Sequence, residues 1–326
     1  ILREGGVDIL HLHWIDPFYV VKHGYRPPLL YRILTLFPTL IKSLLFVIDV
    51  EITKLLGIRL VWTVHDKYDH DQNHKQIQIL MGMYLSRRVD AITVASNNGE
   101  QIIRDLFHIP DEQNIYTIHH GNYIDVYEDN IDSEEARSRI GVNQNEFVYL
   151  YFGSIRAYKG IPELINAYLQ LDSAGESHLL IVGNARHEES VQTAIETAKH
   201  ACDITIIPEY ISDNELQIYF NAANVVVLPF RDVLTSGSVI LAMGFGCPLV
   251  VPNIGCIPDI LPGENFLYPP GEKNLTEAMI DAQESGSLSA IGGKNYMKAT
   301  NMTWRDAAQQ TKEMYTSIIG YDQREN

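Results

Sequence analysis

Short β-prone runs alternate with helical stretches over most of the chain, and this alternation limits the folds that are open to it. The first series of runs lies at residues 8–14 (DILHLHW), 57–66 (GIRLVWTVHD), 90–95 (DAITVA) and 115–118. The second series lies at residues 147–155 (FVYLYFGSI), 178–182, 204–207, 225–228 and 248–252. Strands that alternate with helices of about ten residues are typical of parallel sheets. The pattern therefore predicts two Rossmann-like, doubly wound α/β domains in tandem.

A polar, acidic stretch separates the two series. Residues 119–146 (HHGNYIDVYEDNIDSEEARSRIGVNQNE) show no sustained strand periodicity, which is typical of a connection between domains. We therefore predict a first domain over residues 1–125 and a second over residues 126–303.

The charge balance and the cysteines restrict the classes of partner. With 25 Lys and Arg against 41 Asp and Glu, the formal net charge is −16, which repels nucleic acid. Cys202, Cys247 and Cys256 are not spaced as metal ligands and cannot all pair, which suits a reducing compartment. The sequence has no GxGxxG fingerprint and no Walker phosphate loop, so dehydrogenases and P-loop enzymes lack support.

The most apolar stretch, residues 29–50, has two interpretations. Arg32, Pro38, Lys42 and Asp49 interrupt it, so we do not predict a helix that spans a membrane. One or two helices packed on a sheet are preferred, because core helices show the same pattern. A helix that lies on a membrane surface is the alternative.

Polar side chains follow two strands of the first series. His13 and Trp14 end the run at residues 8–14, and His65 and Asp66 end the run at residues 57–66. All four should therefore lie at the carboxyl edge of one sheet. His65 is a candidate for catalysis, because a neutral imidazole can accept a proton or bind a sugar hydroxyl. A structural histidine bonded to Asp66 is the alternative. His11 shares a strand face with His13, but no third ligand stands nearby, so no metal site is predicted.

One loop of the second series concentrates positive charge. The loop 153–160 (GSIRAYKG) begins with Gly153 and Ser154, and it places Arg156 and Lys159 just ahead of a helix. Two cations at the carboxyl edge of a sheet suit an anionic ligand. Solvated surface charge is the alternative.

A second loop joins residues 225–228 to a short helix of small residues. Thr235, Ser236, Gly237 and Ser238 should stand at the helix start, where unpaired N–H groups and the helix dipole favour an anion. An ordinary cap made by Thr235 or Ser236 is the alternative. Since both loops follow strands of one sheet, together they can hold a diphosphate and stabilise it as a leaving group.

Several stretches, taken in chain order, resemble the two-domain GT-B glycosyltransferases, specifically the retaining family 4. They run from residue 8 to residue 261 and comprise DILHLHW, LVWTVHD, HHGNYIDVY, YLYFGSIRAYKGIPELINAY, LLIVGNA, YISDNELQIYFNAANVVVLPF and LTSGSVILAMGFGCPLVVPNIGCIPDIL. The resemblance implies an acceptor domain and a donor domain that face a cleft, with a nucleotide-diphospho-sugar such as a UDP-sugar or GDP-sugar as donor. It also implies transfer to a glycan or lipid-linked acceptor, with retention of configuration, in cell-surface polysaccharide synthesis.

The resemblance assigns roles to individual residues. Arg156 and Lys159 correspond to a diphosphate-binding pair, and His65 corresponds to a histidine that faces the sugar and the acceptor. The positions that correspond to the nucleoside site are Gly183, Asn184, Tyr210, Ile211 and Glu215. Residues 304–320 correspond to a terminal helix that returns to the first domain.

Two departures from the family pattern matter. Many relatives have two glutamates with seven residues between them in the stretch 230–248, but Val233 and Leu241 stand at those positions here. The chain therefore resembles a subgroup with a Ser-Gly turn, and Asp232 and Thr235 are the candidates for contact with the transferred sugar. The chain also lacks the strand and glycine-containing loop with which relatives begin, so we expect an incomplete acceptor domain.

No redox cofactor and no essential metal are expected, because the two cations and the helix start already supply positive potential. The expected location is cytoplasmic, at the inner face of the membrane if residues 29–50 touch lipid. Two other functions stay open. One is a catalytically silent GT-B module that binds a nucleotide sugar or a partner enzyme, and the other is a sugar-nucleotide epimerase, whose extra carboxylates are not evident.

Overall fold

The computed structural model describes residues 6–22, 29–69, 71, 73–171, 176–185, 188–199 and 201–320. The chain divides into unit 1, with Ile1–His120 and Trp304–Asn326, and unit 2, with Gly121–Thr303. The sequence placed the boundary after residue 125, whereas the structure divides the chain after His120. The expectation of an incomplete start concerns the chain ahead of residue 6, which lies outside the described residues.

Strands and helices alternate along both units. The strands are β1 (Ile9–Leu12), β2 (Arg59–Thr63), β3 (Ala91–Val94), β4 (Ile115–Thr117), β5 (Phe147–Phe152), β6 (Ser177–Val182), β7 (Ile204–Ile207), β8 (Val225–Val227), β9 (Leu249–Pro252) and β10 (Phe266–Tyr268). The helices are α1 (Asp16–Tyr19), α2 (Leu29–Leu55), α3 (Lys75–Ser86), α4 (Asn97–Phe107), α5 (Ser133–Ile140), α6 (Ile161–Leu169), α7 (Glu189–Ala198), α8 (Leu216–Ala222), α9 (Gly237–Gly244), α10 (Ile257–Ile260), α11 (Glu272–Glu284), α12 (Leu288–Thr300) and α13 (Trp304–Ile319).

Unit 1 is built on a parallel sheet in which β1, β2, β3 and β4 lie side by side in chain order. Successive side chains of a strand point to opposite faces of the sheet. Val61 packs with Met314 of α13, and its neighbour Trp62 contacts Phe107 of α4, with ring centroids 5.5 Å apart. Helices therefore cover both faces of this sheet, and the last helix of the chain supplies part of the cover.

Helix α2 is the longest helix among the described residues. One or two helices were predicted over residues 29–50, and the structure has one helix over Leu29–Leu55 with Pro38 inside it. A proline in a helix removes one backbone hydrogen bond at a cost of about 3 kcal/mol, and a helix of this length retains many others. Among the described residues, α2 is the one helix whose length and apolar composition would allow it to cross a membrane.

Unit 2 is built on six parallel strands in the order β10-β9-β8-β5-β6-β7. The chain first adds β6 and β7 on one side of β5, and then returns to add β8, β9 and β10 on its other side. The strand order therefore reverses between β5 and β8. In doubly wound sheets, ligands bind in the crevice at the carboxyl ends of the strands beside such a reversal. The prediction of two parallel α/β sheets is confirmed.

The stretch that was predicted to connect the domains contains helix α5, which belongs to unit 2. Asp132 caps it by accepting a hydrogen bond from the Glu135 N–H at 2.9 Å, and Gly141 ends it in the left-handed conformation. The density of acidic residues and the absence of strand periodicity had favoured a loop. The difference arises because Arg137 anchors the helix in unit 2.

Arg137→Ala is expected to destabilise unit 2 by about 2–4 kcal/mol. The buried guanidinium donates hydrogen bonds of 2.7–3.1 Å to four acceptors, which are the carbonyls of Ala222, Gln144 and Glu146 and the side chain of Asn224. The measurement is urea unfolding followed by circular dichroism. Arg139→Ala, which removes only an exposed pair with Glu135, is the control and should cost about 0.5 kcal/mol or less.

Candidate functional site

Two glycines hold the loops after β5 and β6 against each other. Gly153 and Gly183 both have positive φ, at 145° and 138°. A Cβ on Gly183 would lie 2.0 Å from the carbonyl oxygen of Gly153, which is closer than any side chain permits. Gly183, predicted at the nucleoside site, therefore has a packing role that does not depend on a ligand.

The loop 153–160 also contacts the loop that follows β8. A Cβ on Gly160 would lie 1.9 Å from the carbonyl oxygen of Pro229, so the two backbones touch. The ammonium group of Lys159 lies 4.6 Å from the centroid of the Phe230 ring, within the range of a cation–π contact. The structure thus brings together the two loops that were predicted to share one ligand.

Arg156 forms an ion pair that the sequence did not predict. Its Nε donates to Glu188 Oε1 at 2.8 Å, and Glu188 Oε2 accepts from the Ala157 N–H at 2.8 Å. Both charged side chains are largely buried, with 11% of each exposed. Glu188 therefore orients the guanidinium and offsets its charge, so the loop is less positive than two unbalanced cations would make it.

The start of α9 carries an unsatisfied hydroxyl. Ser236 stands at the cap position, but its side chain accepts no hydrogen bond from the helix, so the interpretation of Ser236 as an ordinary cap is wrong. Only 6% of Ser236 is exposed, and among the described residues its Oγ has no hydrogen-bond partner. Buried polar groups are nearly always paired in folded proteins. The hydroxyl is therefore an unused hydrogen-bonding group at a helix start, where the first N–H groups have no acceptor within the helix itself.

Other side chains approach this helix start. A Cβ on Gly237 would lie 3.0 Å from the hydroxyl of Tyr123, and a Cβ on Gly153 would lie 3.7 Å from the hydroxyl of Ser238. Tyr123 was missed by the sequence analysis, although it lies in the HHGNYIDVY stretch. The hydroxyls of Tyr123 and Ser238 thus stand around the same turn as Ser236.

The predicted nucleoside residues differ in what they offer a ligand. Asn184 and Tyr210 have exposed side chains, and 76% of Tyr210 is accessible. The side chain of Ile211 is buried, so only its backbone is available. Glu215, just ahead of α8, accepts a hydrogen bond from the hydroxyl of Ser212.

Apolar side chains occupy the positions of the two family glutamates. Val233 is buried, and Leu241 lines a cavity of about 240 Å³ with Tyr123 and Tyr127. Asp232 is partly buried in the loop between β8 and α9. This loop therefore holds one carboxylate close to the turn, at a place different from either family position.

In unit 1, the strand ends bring together three of the predicted side chains. His13 Nδ1 and His65 Nε2 share a hydrogen bond of 2.8 Å. The indole of Trp14 stacks on the His65 ring, with centroids 4.3 Å apart, and 62% of Trp14 is exposed. His11 instead uses both ring nitrogens for structural bonds, to the hydroxyls of Tyr315 at 2.5 Å and Thr63 at 2.7 Å.

The electrostatic setting keeps this pair of histidines uncharged. Burial, with repulsion from His13 and His120, lowers the pKa of His65 to about 4, and burial also lowers the pKa of His13. Both imidazoles are therefore neutral near pH 7, which leaves lone pairs that can accept a proton. Within the described part of the chain, no three His, Cys, Asp or Glu side chains are grouped as metal ligands.

A cavity of about 260 Å³ in unit 1 adjoins the pair. Aromatic and acidic side chains share its wall, among them Trp14, Tyr19, Trp62, His65, Asp66 and Asp69. Lys22 and Lys67 also line it, so the cavity combines aromatic surface with groups of both charges. Small-molecule sites pair apolar surface with placed polar groups. Asp66, which was predicted on the acceptor side, lies in this wall.

Two units, each built on a parallel sheet with helices, the second with a reversal of strand order, correspond to the GT-B fold class. A solved sucrose-phosphate synthase from Thermosynechococcus elongatus shares the fold with a TM-score of 0.73 and 17% identity, over 96% of this chain and 89% of that one. Anabaena Alr3699/HepE, solved in complex with UDP, aligns with a TM-score of 0.68 and 18% identity, over 84% of this chain and 77% of that one.

Sequence comparison agrees with the fold. A protein described as GDP-mannose:glycolipid 4-beta-D-mannosyltransferase, from Xanthomonas campestris pv. campestris, is 27% identical in an alignment that covers 97% of this chain and 81% of that protein. A D-inositol 3-phosphate glycosyltransferase from Rhodococcus jostii is 24% identical over 56% of this chain and 43% of that protein. Residues 146–285 match the family described as Glycosyl transferases group 1. The chain is therefore similar to glycosyltransferases in sequence, within residues 146–285 to the group 1 family, and to solved GT-B structures in fold.

The low pKa of His65 predicts that unit 1 loses stability in acid. The ordinary histidine pKa is about 6.5, so between that pH and about 4 the unfolded chain binds a proton that the folded chain excludes. The free energy of unfolding should therefore fall as the pH is lowered through this window, and His65→Gln should weaken the pH dependence. Unfolding at a series of pH values measures both, with the exposed His108→Asn as the control that should match wild type.

Proposed function

We propose that this protein transfers a sugar from a nucleotide-diphospho-sugar to a hydroxyl of a glycan or lipid-linked acceptor. The observation that carries the proposal is the meeting of the loop 153–160 with the start of α9 beside the strand-order reversal of unit 2. There the Ser236 hydroxyl has no hydrogen-bond partner among the described residues, and the first N–H groups of α9 have none within the helix. Phosphate oxygens are hydrogen-bond acceptors that suit both.

In this proposal the diphosphate binds between cationic side chains and backbone donors. Arg156 and Lys159 contribute charge from the loop 153–160, and the turn at residues 235–238 contributes hydroxyl and N–H donors. Gly153 and Ser154 shape the approach of the loop to the phosphates. Negative charge grows on the diphosphate as the sugar leaves, so donors placed in advance lower the barrier. The same donors support the expectation that no metal is essential.

The other predicted residues keep their proposed roles. Asn184, Tyr210 and Glu215 border the nucleoside, and Asp232 contacts the transferred sugar. In unit 1, His65 receives the proton of the acceptor hydroxyl, while Trp14 and Asp66 bind the acceptor in the adjoining cavity. His13 holds His65 through their hydrogen bond, which fixes the orientation of the imidazole.

The relatives support this reading of donor and acceptor. The Xanthomonas protein is named for GDP-mannose and a glycolipid, and HepE was solved with UDP. We propose a UDP-sugar or GDP-sugar as donor and a glycolipid-type acceptor, in cell-surface polysaccharide synthesis at the cytoplasmic face of the membrane. A catalytically silent module would bind the donor without turnover, and an epimerase would isomerise the donor without an acceptor.

The donor site is tested by nucleotide binding to wild type and to Arg156→Ala/Lys159→Ala. UDP-sugars and GDP-sugars are screened by thermal shift and titration calorimetry, and the double variant should bind about 10–100-fold more weakly because two charge-assisted contacts are lost. Arg139→Ala/Lys273→Ala removes two exposed charges elsewhere in unit 2 and should bind as wild type does.

Three results would contradict this assignment. They are a wild type that no nucleotide sugar stabilises, a double variant that binds unchanged, and donor binding without turnover across many acceptors. Transfer that EDTA abolishes and a divalent ion restores would contradict the expectation of no essential metal.

The stereochemical outcome is a separate prediction. The resemblance implies retention, so a product from an α-linked donor should be α-linked. The competing outcome is inversion, which would follow from direct displacement with neutral His65 as the base. A β-linked product would indicate inversion, and the name of the Xanthomonas protein specifies a β-linkage. Proton NMR of the product's anomeric signal, recorded early in the reaction, distinguishes the two.

A further inference from the structure

Helix α2 buries polar side chains and exposes apolar ones, which is the reverse of a surface helix in a water-soluble domain. Its buried positions recur every three or four residues and so form one stripe, consisting of Thr35, Thr39, Ser43, Phe46 and Val50. Three of these five side chains carry a hydroxyl group. Large apolar side chains face outward instead, among them Leu34, Phe37, Leu40, Ile41, Leu44 and Leu45. A surface helix in water normally turns its apolar stripe to the core and its polar face to solvent.

The polar groups of α2 are satisfied inside unit 1. Thr39 Oγ1 accepts from the Val21 N–H at 3.1 Å, and the hydroxyl of Thr35 lies 2.9 Å from His74 Nε2. Lys42 is the one charged residue between residues 33 and 48, and its ammonium donates to the carbonyl of Pro17 at 2.9 Å. The outward face is therefore free of charged side chains over about 22 Å of helix, at 1.5 Å per residue.

The size of the apolar face indicates what covers it. Projected at 100° per residue, the exposed apolar side chains occupy about half of the circumference. A helix that docks in a protein groove uses a narrower row of anchors, spaced at i, i+3, i+4 and i+7. The exposed fractions stay high along this face, at 71% for Phe37 and 61% for Leu44. A broad, uncharged face of this kind fits the acyl region of a lipid surface.

We propose that α2 lies along the surface of a lipid bilayer, with its outward face in the acyl region and its hydroxyl stripe on unit 1. The bonds to Val21, His74 and Pro17 tie the helix to the rest of unit 1, so it does not leave that unit to cross the bilayer alone. With a formal net charge of −16 the chain is not drawn to anionic lipid, so apolar insertion carries the contact.

The lipid-facing helix and the unit 1 cavity share a wall. Tyr19 lines the cavity, and its ring contacts that of Phe46 on α2, with centroids 5.3 Å apart. Phe18, exposed on α1, stacks beside the same Phe46 ring. An acceptor anchored in the bilayer would therefore meet the cavity close to its own anchor. The delivery of an anchored acceptor to the cavity rests on the proposed function, whereas the contact of α2 with lipid does not.

The test is flotation of the full chain with preformed phosphatidylcholine vesicles, without donor or acceptor. Wild type should float with the vesicles equally at low and high salt, because the contact is apolar. Phe37→Glu/Leu44→Glu should reduce the partition at least 10-fold, since a carboxylate is costly in the acyl region, with about 10-fold for each 1.4 kcal/mol lost. Leu169→Glu/Met297→Glu, at exposed apolar positions of unit 2, is the matched control and should float as wild type does.

A second measurement reports depth, and the readouts separate the two proposals. Fluorescence of Phe37→Trp, after subtraction of wild type, should be quenched by brominated acyl chains. The glutamate double variant should keep its circular dichroism spectrum and its transfer to a water-soluble acceptor, so a loss of flotation is not a loss of folding or of the proposed activity. The proposal fails if wild type does not float or if the double variant floats unchanged. It also fails if wild type is a dimer that the double variant converts to a monomer, because a second copy then covers the face.

Discussion

Close packing of backbone at the end of β5 is the constraint on which unit 2 depends. Gly153 meets Gly183 at one side of the loop 153–160, and Gly160 meets Pro229 at the other, in each case at distances that leave no room for a Cβ. These contacts hold together three loops that are distant in sequence. Because β5 lies between β6 and β8, the same contacts place the loops on both sides of the strand-order reversal. The candidate diphosphate site is a consequence of this packing.

The candidate donor site relies on backbone and hydroxyl groups more than on charge. Glu188 offsets the charge of Arg156 and orients it, and apolar Val233 and Leu241 stand where many relatives have carboxylates. The unsatisfied Ser236 hydroxyl belongs to the same arrangement. Such fixed donors need no reorganisation when charge develops on a leaving group, which is the physical basis of electrostatic stabilisation in enzymes. An acidic protein can in this way bind an anion without a large basic surface.

Burial has opposite consequences at the two sites of unit 1. At the strand ends it removes water from the imidazoles, so His65 stays neutral well below its ordinary pKa and keeps a lone pair for a proton. On α2 the hydroxyl stripe is buried and paired, and the apolar side chains remain outside. In both places burial decides which groups stay available to a partner and which are used inside unit 1.

The sequence alone determined the two parallel α/β sheets, because the spacing of β-prone runs and helices is a local property. It also identified the loops at 153–160 and 235–238 and the histidines at the ends of β1 and β2, since glycine, hydroxyl and charge patterns mark strand ends. Only the tertiary structure decided the partners of these groups. The pairing of Arg156 with Glu188, the bond between His13 and His65 and the outward face of α2 join residues far apart in the chain. Local patterns do not encode such distances, because packing and burial are properties of the folded whole.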